Sequence, residues 1–429
     1  MTPQVVATTC LGVGHQIFHK RVFDYCIVDE ASQITLPVCL GPIRMARTFV
    51  LVGDHHQLPP LVQNKEAQEG GLDVSLFKLL SDRQPGCVVN LEHQYRMCQE
   101  VMLLSNTLIY DGRLKCGNDA VAARTLHVPN PDGLLRYHDN DSSQTPSQCP
   151  SPSHASCWLS TILSPARKVV FANTDTILPL PTDTSHGARI TNATEALLLT
   201  QTVLSLIAQG IPASEIGIIT FYRSQLALLR QHLRHTPAER VEMHTADKFQ
   251  GRDKEVVLLS CVRANANRNV GELLRDRRRV NVALTRARSK LVVFGSAETL
   301  GANELLARFL SVVDGRGWRV DLPVGAREAH PGFEREVLAV GSATQRTPAK
   351  RLDVAEAGAE REKEQEDAKE DKSERPVAGT TRSTHPEPIR RVGLKRPDKV
   401  GRVGQQTLLR SRPILQDIVN EVLGQDAGS

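Results

Sequence analysis

The chain has 429 residues, of which 40% are hydrophobic and 24% are charged, the composition of a globular protein with room for two or more domains. The formal net charge is only +5, so any nucleic-acid-binding face must be local. The nine cysteines are scattered without a C-x-x-C pair, which argues against a zinc or iron–sulfur site and a disulfide framework and favours a reducing compartment. No run approaches the roughly 18 apolar residues of a membrane span, and the N-terminus has no signal-peptide pattern.

Short β-branched and apolar runs, most of them ending in a polar or acidic residue, predict strands along the chain. Helical patterns at residues 195–208 and 224–235 lie between them. Apolar strands that alternate with helices predict an α/β fold with a parallel sheet covered on both faces, and functional residues at the carboxyl ends of the strands. The predicted strands are at 23–28, 49–52, 169–172, 216–221, 255–260 and 291–295, with strand-like segments at 5–9 and 87–91.

Three segments depart from this alternation. Residues 139–165 are rich in Ser, Pro and Thr, which predicts a loop or insertion. The composition shifts again from about residue 327, and the mixed-charge run at 356–374 predicts disorder. At 411–423, Pro413 could open a helix with one apolar face. That helix would dock either on its own protein or on a partner.

The first group of chemical interest is Asp29-Glu30-Ala31-Ser32, directly after a predicted strand. A nucleotide-hydrolysing motor needs one carboxylate at a strand end to hold Mg²⁺ and a second to orient the attacking water. Asp29 and Glu30 fit these roles, although a capped helix start would explain the same four residues.

A second polar loop, GDHHQLPP at residues 53–60, follows the next predicted strand. Gln57 can hydrogen-bond both a γ-phosphate and the attacking water, and the Leu-Pro-Pro segment would stiffen its loop. For this loop alone, a proline-terminated turn is the alternative. Two such loops in this order on adjacent strands are a more specific signal than either one.

Three later segments carry arginines or precede strands in the same way: QYRM at 94–97, HTADKFQGRDKE at 244–255 and VNVALTRAR at 280–288. An arginine that reaches the γ-phosphate from a second domain stabilises the charge of the transition state, by about 10³–10⁵ in rate. A basic cluster before the last segment either tracks a nucleic-acid backbone or forms a solvated helix face. Its members are Arg275, Arg277, Arg278 and Arg279.

The series DEASQ, GDHHQLPP, QYRM, TADKFQGRDKE and NVALTRAR resembles motifs II to VI of superfamily 1 helicases that move 5′ to 3′. ATTCLG, SNTLIYDGRLKCG and TNATEA further resemble the eukaryotic DNA replication ATP-dependent helicase/nuclease family. The resemblance covers roughly residues 1–325 apart from the loop at 139–165. It implies RecA-like P-loop NTPase domains with parallel sheets, the first truncated and the second nearly complete. It also implies an ATP-driven DNA helicase that uses ATP and Mg²⁺ and binds single-stranded DNA.

The resemblance implies roles for five residues in hydrolysis. Asp29 matches the Mg²⁺ ligand, and Glu30 matches the base that activates water. Gln57 matches the γ-phosphate sensor. Arg96 and Arg286 match the two arginine fingers.

Further matches concern binding. Tyr95 matches a residue that lies against the adenine base, and Gly251 with Asp253 matches a nucleotide-contacting turn. Many family members have Glu where this chain has Asp253, which has a shorter reach. Positions that touch the nucleic-acid backbone match Thr8, Thr9 and Thr245.

The phosphate-loop pattern G-x-x-x-x-G-K-[ST] occurs nowhere in the chain. In the family this loop lies upstream, as does a nuclease domain with an iron–sulfur cluster. We therefore expect 1–85 to be the C-terminal half of the first RecA-like domain, 86–325 the second, and 326–429 a low-complexity charged tail. We expect no iron–sulfur cluster here, and poor ATP hydrolysis by the isolated chain because half of the phosphate cradle is absent.

Two alternatives remain open at this point. The RNA helicase of nonsense-mediated decay shares the same motifs, and a non-catalytic helicase-like module could bind nucleic acid, or a partner through its tail. Five intact groups for hydrolysis argue against the second alternative. The resemblance implies a nuclear location, with mitochondria as a second one, and the basic pairs at 390–391 and 395–396 are typical of a nuclear signal.

Overall fold

A computed structural model describes residues 5–137, 157–187, 189–330 and 333. The chain divides into two compact units, Met1–Arg346 and Thr347–Ser429, and every described residue belongs to the first. The predictions for the charged run at 356–374, the helix at 411–423, the basic pairs and most of the loop at 139–165 lie outside the described residues.

The described strands and helices alternate along most of the chain, as an α/β fold requires. The strands are β1 (Phe23–Val28), β2 (Ala46–Leu51), β3 (His93–Gln94), β4 (Lys115–Cys116), β5 (Val169–Asn173), β6 (Thr184–His186), β7 (Arg189–Thr191), β8 (Ile216–Thr220), β9 (Glu242–Thr245), β10 (Lys254–Ser260), β11 (Ala287–Gly295) and β12 (Arg319–Asp321). The α-helices are α1 (Leu36–Ile43), α2 (Lys65–Glu69), α3 (Leu76–Arg83), α4 (Gln99–Leu108), α5 (Asp119–Ala123), α6 (Trp158–Leu163), α7 (Ala193–Ala208), α8 (Arg223–Leu233), α9 (Ala246–Phe249), α10 (Glu272–Arg275), α11 (Arg277–Leu284), α12 (Ala297–Leu300) and α13 (Glu304–Gly315).

The main sheet has six parallel strands in the order β12-β5-β11-β10-β8-β9. Alternate residues of its central strands enter two apolar cores, one on each face. Val170 and Leu258 belong to one core, which includes residues of α6, α7 and α8, and Phe171 belongs to the other, which includes residues of α4, α11 and α13. The predicted parallel sheet with both faces covered is therefore confirmed.

β1 and β2 form a separate parallel pair, in register from Phe23↔Ala46 to Val28↔Leu51. Helix α1 packs against both strands. The opposite face is open: Tyr25 and Ile27 are each 70% exposed, and Val50 is 46% exposed. Parallel strands are normally buried on both faces, so this open apolar face is unusual.

The predicted strands of the sheets are all present, and β1 has the predicted ends. Helix α7 begins two residues before the prediction because Asn192 caps it: its side chain accepts a hydrogen bond from the N–H of Glu195 at 3.0 Å. The strand-like interpretation of 5–9 and 87–91 was wrong. Residues 5–9 have no regular structure and Cys87 ends a 3-10 turn, because neither segment has a neighbouring strand to complete its hydrogen bonds.

The loop prediction for 139–165 also needs a correction at its end. Residues Trp158–Leu163 form α6, whose apolar side chains are buried in the core. The Ser- and Pro-rich composition of the preceding residues hid this short apolar helix. No helix among the described residues is both long and apolar enough to cross a membrane.

Candidate functional site

Two adjacent carboxylates stand at the carboxyl end of β1. Glu30 has a φ of 50°, a left-handed conformation that is uncommon for a residue with a side chain. Its backbone N–H donates to Asp29 Oδ1 at 2.9 Å, and its Oε2 accepts from Gln33 Nε2 at 2.7 Å. Both carboxylates are exposed, so they remain accessible to a ligand.

The loop after β2 lies beside this turn. A Cβ on Gly53 would be 2.9 Å from the backbone nitrogen of Ser32, so the two loops can approach this closely only because residue 53 is glycine. The Asp54 carboxylate then organises the loop: Oδ1 accepts from the N–H of His56 at 2.9 Å and Oδ2 accepts from Gln57 Nε2 at 2.9 Å. The Gln57 side chain is therefore held at the edge where Glu30 also lies.

The amide oxygen of Gln57 faces the segment that follows α9. Gln250 Nε2 lies 3.5 Å from Gln57 Oε1. Gln250 follows α9 and precedes Gly251, whose φ of 78° makes a turn that glycine adopts without strain. The structure thus brings the predicted sensor next to the predicted nucleotide-contacting turn.

The backbone of the QYRM segment is fixed by the side chain of Gln94. Its Oε1 accepts from the N–H groups of Arg96 and Met97 at 2.9 and 2.7 Å, and its Nε2 donates to the Met97 carbonyl at 2.7 Å. Tyr95 is thereby presented outward with 63% exposure. One side of its ring packs closely on Gly117, where a Cβ would be 2.2 Å from a ring carbon.

Beside Tyr95 lies an open groove of about 530 Å³ lined by three arginines and two acidic residues. Its lining consists of Tyr95, Arg96, Arg124, Asp253, Glu255 and Arg288. The Asp253 carboxylate accepts from Arg288 Nε and lies 3.9 Å from Arg96 Nε. An exposed aromatic ring beside several guanidinium groups suits a flat base joined to phosphates.

Arg286 is buried, with only 2% of its surface exposed. Its guanidinium donates to the Val282 carbonyl at 2.8 Å and to Thr285 Oγ1 at 2.6 Å. No carboxylate of the described residues lies within 4.0 Å of it. Burial, together with the charge of the nearby Arg96 guanidinium, lowers the pKa of Arg286 to about 10. A buried cation without an acidic partner is costly unless an anion completes the site.

The charges of Glu30 and Arg96 act on the buried Arg286, and Asp29 is hydrogen-bonded to Glu30, whereas the contact shown for Gln57 on this side is with Gln250. Among the described residues, the predicted backbone-contacting threonines are not joined to one another. Thr8 and Thr9 are exposed in the segment before the first 3-10 turn, where Thr9 Oγ1 accepts from the N–H of Gly12 at 3.1 Å. Thr245 is half-buried and precedes α9. No hydrogen bond in the described part of the chain links Thr245 to either of them.

The basic cluster at the end of α10 and the start of α11 is partly used within the protein. Arg277 donates to the Ile109 carbonyl at 2.8 Å, and Arg279 pairs with Asp247 at 2.9 Å and with Asp276 at 3.1 Å. Pairing with carboxylates reduces the charge that Arg279 could offer to a phosphate.

Sequence reasoning did not single out several side chains that hold the site. Tyr110 and Asn281 lie in motifs that were identified, but their meeting point depends on contacts across 171 residues. Gln94 could have been found from its place two residues before Arg96, because a Gln side chain can satisfy a tight turn. Arg124 carried no motif signal, and its guanidinium donates to the Arg96 carbonyl at 2.7 Å.

Comparison with protein families identifies the family of the sequence. The sequence matches the AAA domain family over residues 72–298 and a second AAA domain over residues 2–65. The chain belongs to the AAA domain family. Within this family it resembles the helicase part of the DNA replication ATP-dependent helicase/nucleases, as the motifs predicted.

The curated relatives have similar identities across fungi and animals. The DNA replication ATP-dependent helicase/nuclease of Saccharomyces cerevisiae is 46% identical over 73% of this chain and 20% of its own length. The Schizosaccharomyces pombe protein is 44% identical over 74% of this chain and 22% of its own length. The Homo sapiens protein is 43% identical over 76% of this chain and 29% of its own length. The chain thus spans less than a third of these relatives.

Among solved structures, the chain is similar to the arterivirus nonstructural protein 10 helicase. The identity is 16% and the TM-score is 0.30, over 66% of this chain and 40% of that chain. A complex of the same helicase with DNA matches with the same identity and TM-score.

Proposed function

We propose that the chain is the motor portion of an ATP-dependent DNA helicase that moves 5′ to 3′ on single-stranded DNA, within a helicase–nuclease of DNA replication and repair. The observation that carries this proposal is Arg286: a buried guanidinium, without a carboxylate partner among the described residues, on the side of the site where Arg96 and Glu30 also lie. Such a cation is typical of a site that an anion completes, and a nucleotide γ-phosphate is the anion that the surrounding groups suit.

The proposed division of labour follows from the contacts. Glu30 orients the attacking water and accepts its proton, since its carboxylate is exposed and near the charge of Arg286. Gln57 senses the γ-phosphate after its side-chain amide leaves the hydrogen bond with Asp54. Arg96 and Arg286 stabilise the negative charge that develops on the phosphate. Bound Mg²⁺ would neutralise phosphate charge, and Asp29 is the residue that would hold it.

The nucleotide base is proposed to lie in the groove beside Tyr95. The outward ring face gives it a stacking surface, and Asp253 with Gly251 forms the turn next to the sugar and phosphates. Thr8, Thr9 and Thr245 are proposed to contact the DNA backbone.

We also propose that the phosphate-binding half of the first domain is not part of these 429 residues, so that 1–85 is a partial domain, 86–325 the second domain and 326–429 a tail. The open face of β1 and β2 supports this, because Ile27 and Val50 would be covered in a complete parallel sheet. The nuclease of the relatives, and any iron–sulfur cluster, would lie outside this segment. The isolated chain is then a poor ATPase.

DNA is the proposed nucleic acid because the relatives with 43–46% identity are all named as DNA replication enzymes. The proposed location is the nucleus, with mitochondria as a second one, and a protein partner is proposed to bind the tail. Neither an RNA helicase nor a non-catalytic module is favoured by a specific contact in the structure.

The test uses the longest natural polypeptide that contains these 429 residues, called the extended protein below. We expect ATP hydrolysis that single-stranded DNA stimulates at least about tenfold and that RNA of the same length does not. Arg286→Ala should reduce this hydrolysis by about 10³-fold, in the range of arginine fingers. The matched control Arg316→Ala removes an exposed arginine and should have no effect. Equal stimulation by RNA, or an Arg286→Ala variant with normal turnover, would contradict the proposal.

A further inference from the structure

The Tyr110 hydroxyl lies where three distant segments meet. Tyr110 follows α4, and its O–H donates to Asp54 Oδ2 at 2.6 Å. The same oxygen accepts from Asn281 Nδ2 at 2.8 Å. The donor direction is fixed, because an ionised carboxylate can only accept and an amide nitrogen can only donate. Burial raises the pKa of Tyr110, so the hydroxyl keeps its proton at neutral pH.

The hydrogen bond to Asp54 connects Tyr110 to Gln57, the predicted γ-phosphate sensor. The Asp54 oxygen that accepts from Tyr110 also accepts from Gln57 Nε2, at 2.9 Å. The His56 ring meets the Tyr110 ring edge-on, with centroids 5.5 Å apart. A shift of the Tyr110 hydroxyl must therefore move the loop that carries Gln57.

The hydrogen bond from Asn281 connects Tyr110 to the helix that precedes the buried Arg286. Asn281 lies on α11 and donates both to Tyr110 and to the His56 carbonyl, at 3.0 Å. Two residues after the end of α11, Arg286 donates back to the Val282 carbonyl of that helix at 2.8 Å. Hydrogen bonds thus connect Gln57, Asp54, Tyr110 and Asn281 with the helix that holds Arg286.

A buried tyrosine often only satisfies its own hydroxyl. Tyr110 differs because both of its hydrogen bonds end on groups next to residues with proposed phosphate contacts, 56 residues before it and 171 residues after it. One of these bonds is to a carboxylate, which makes it stronger than a neutral one.

We propose that Tyr110 is a positioning residue that couples the Gln57 loop to the helix carrying Arg286, so that the sensor and the arginine finger reach the γ-phosphate together. This inference rests on the proposed ATPase function. Tyr110 touches neither nucleotide nor metal in this scheme: its hydroxyl acts through Asp54 and Asn281.

The test compares kcat and KM for ATP in the extended protein with single-stranded DNA present. Tyr110→Phe removes only the hydroxyl, and we expect kcat to fall about tenfold while KM for ATP and the Kd for ADP change less than about twofold. The matched control is Tyr222→Phe, which removes a buried hydroxyl that has no hydrogen-bond partner among the described residues and should leave kcat unchanged. A thermal melt of each variant verifies folding.

A second variant removes the hydrogen bond that Asn281 donates to Tyr110. Asn281→Ala should also lower kcat about tenfold, and the double variant should lose no more than either single variant, because the two groups act as one unit. Multiplied losses in the double variant, a normal kcat in Tyr110→Phe, or an equal change in KM would overturn the coupling while wild-type activity upholds the proposed function. Wild-type protein without DNA-stimulated turnover would overturn both.

Discussion

Glu30 and Asp29 are neighbours in sequence but differ in their surroundings. Glu30 is held by Gln33 in a left-handed turn, whereas Asp29 bonds only to the backbone of Glu30 among the described hydrogen bonds. A residue kept in an unfavourable conformation at a strand end is typical of a functional site. The structure therefore supports separate roles for the two carboxylates.

Replacing Glu30 by Gln keeps the shape of the side chain and removes the proposed base. In the extended protein we expect ATP turnover to fall by about 10²–10⁴-fold, the range for general base catalysis, while ADP binding changes less than about threefold. Single-turnover kinetics and calorimetric titration measure the two quantities. Glu69→Gln, at an exposed glutamate of α2, is the control. If ADP binding is lost as severely as turnover, Glu30 is structural.

Glu195 is a fully buried carboxyl group with a structural position. Its Oε2 accepts from Ser260 Oγ at 2.6 Å and from the N–H of Val262 at 2.8 Å. Val262 has a φ of 69°, a strained value for a β-branched residue, and the hydrogen bond from Arg263 N to the Cys261 carbonyl at 2.7 Å closes a γ-turn around it. Glu195 thus holds a strained turn at the carboxyl end of β10.

Burial raises the pKa of Glu195 to about 7, and the two hydrogen bonds only partly oppose this. The folded state then keeps a proton that the unfolded state has lost, so the contribution to stability is complete at acid pH and is lost as the pH rises through about 7. Relative to Glu195→Gln, we expect the free energy of unfolding of the wild type, measured in urea, to fall by up to about 3 kcal/mol between pH 5 and pH 8. The exposed Glu304→Gln should follow wild type. A wild-type difference of the opposite sign would contradict this account.

At the scale of elements, the short strands β3 and β4 present Tyr95. Gly117 follows β4, and its N–H donates to the Gln94 carbonyl at 2.8 Å, which places its Cα under the Tyr95 ring. Gly117→Ala would push the exposed ring away, at little cost in stability because the ring can move into solvent. We expect ADP affinity in the extended protein to fall about tenfold with a melting temperature within a few degrees of wild type. Gly315→Ala, which meets no neighbour, is the control. Unchanged ADP affinity would mean that the base does not stack on Tyr95.

The same scale shows what a sequence can predict. β1 and the helices α7 and α8 follow from local patterns of apolar residues, and their ends lie within two residues of the prediction. Residues 5–9 have an equally strong strand pattern, yet they form no strand, because a strand depends on a neighbour that local sequence does not contain. The hydrogen bonds of Tyr110 to Asp54 and Asn281 could not be predicted for the same reason, since these partners are distant in the chain.

At the scale of the whole molecule, the open face of β1 and β2 supports the proposal that residues 1–85 are part of a larger domain. Ile27→Glu places a charge on a face that is exposed in this chain, so it should change the stability of the isolated chain by less than about 1 kcal/mol. Val28→Glu, on the adjacent buried position, should destabilise by several kcal/mol. In the extended protein, we expect Ile27→Glu to become as destabilising as Val28→Glu. Urea unfolding of both proteins measures this, and an Ile27→Glu variant that is tolerated in both would mean that nothing covers the face.

We propose that these 429 residues hold the arginine fingers and carboxylates of a DNA-stimulated ATPase but only part of its phosphate cradle. The most direct test measures Mg²⁺-dependent ATP turnover with single-stranded DNA for the 429-residue chain and for the extended protein side by side. We predict turnover at least about 10³-fold faster in the extended protein, together with a G-x-x-x-x-G-K-[ST] segment before the residue that is Met1 here. Robust turnover by the 429-residue chain alone, or an extended protein without this segment and without turnover, would contradict the account.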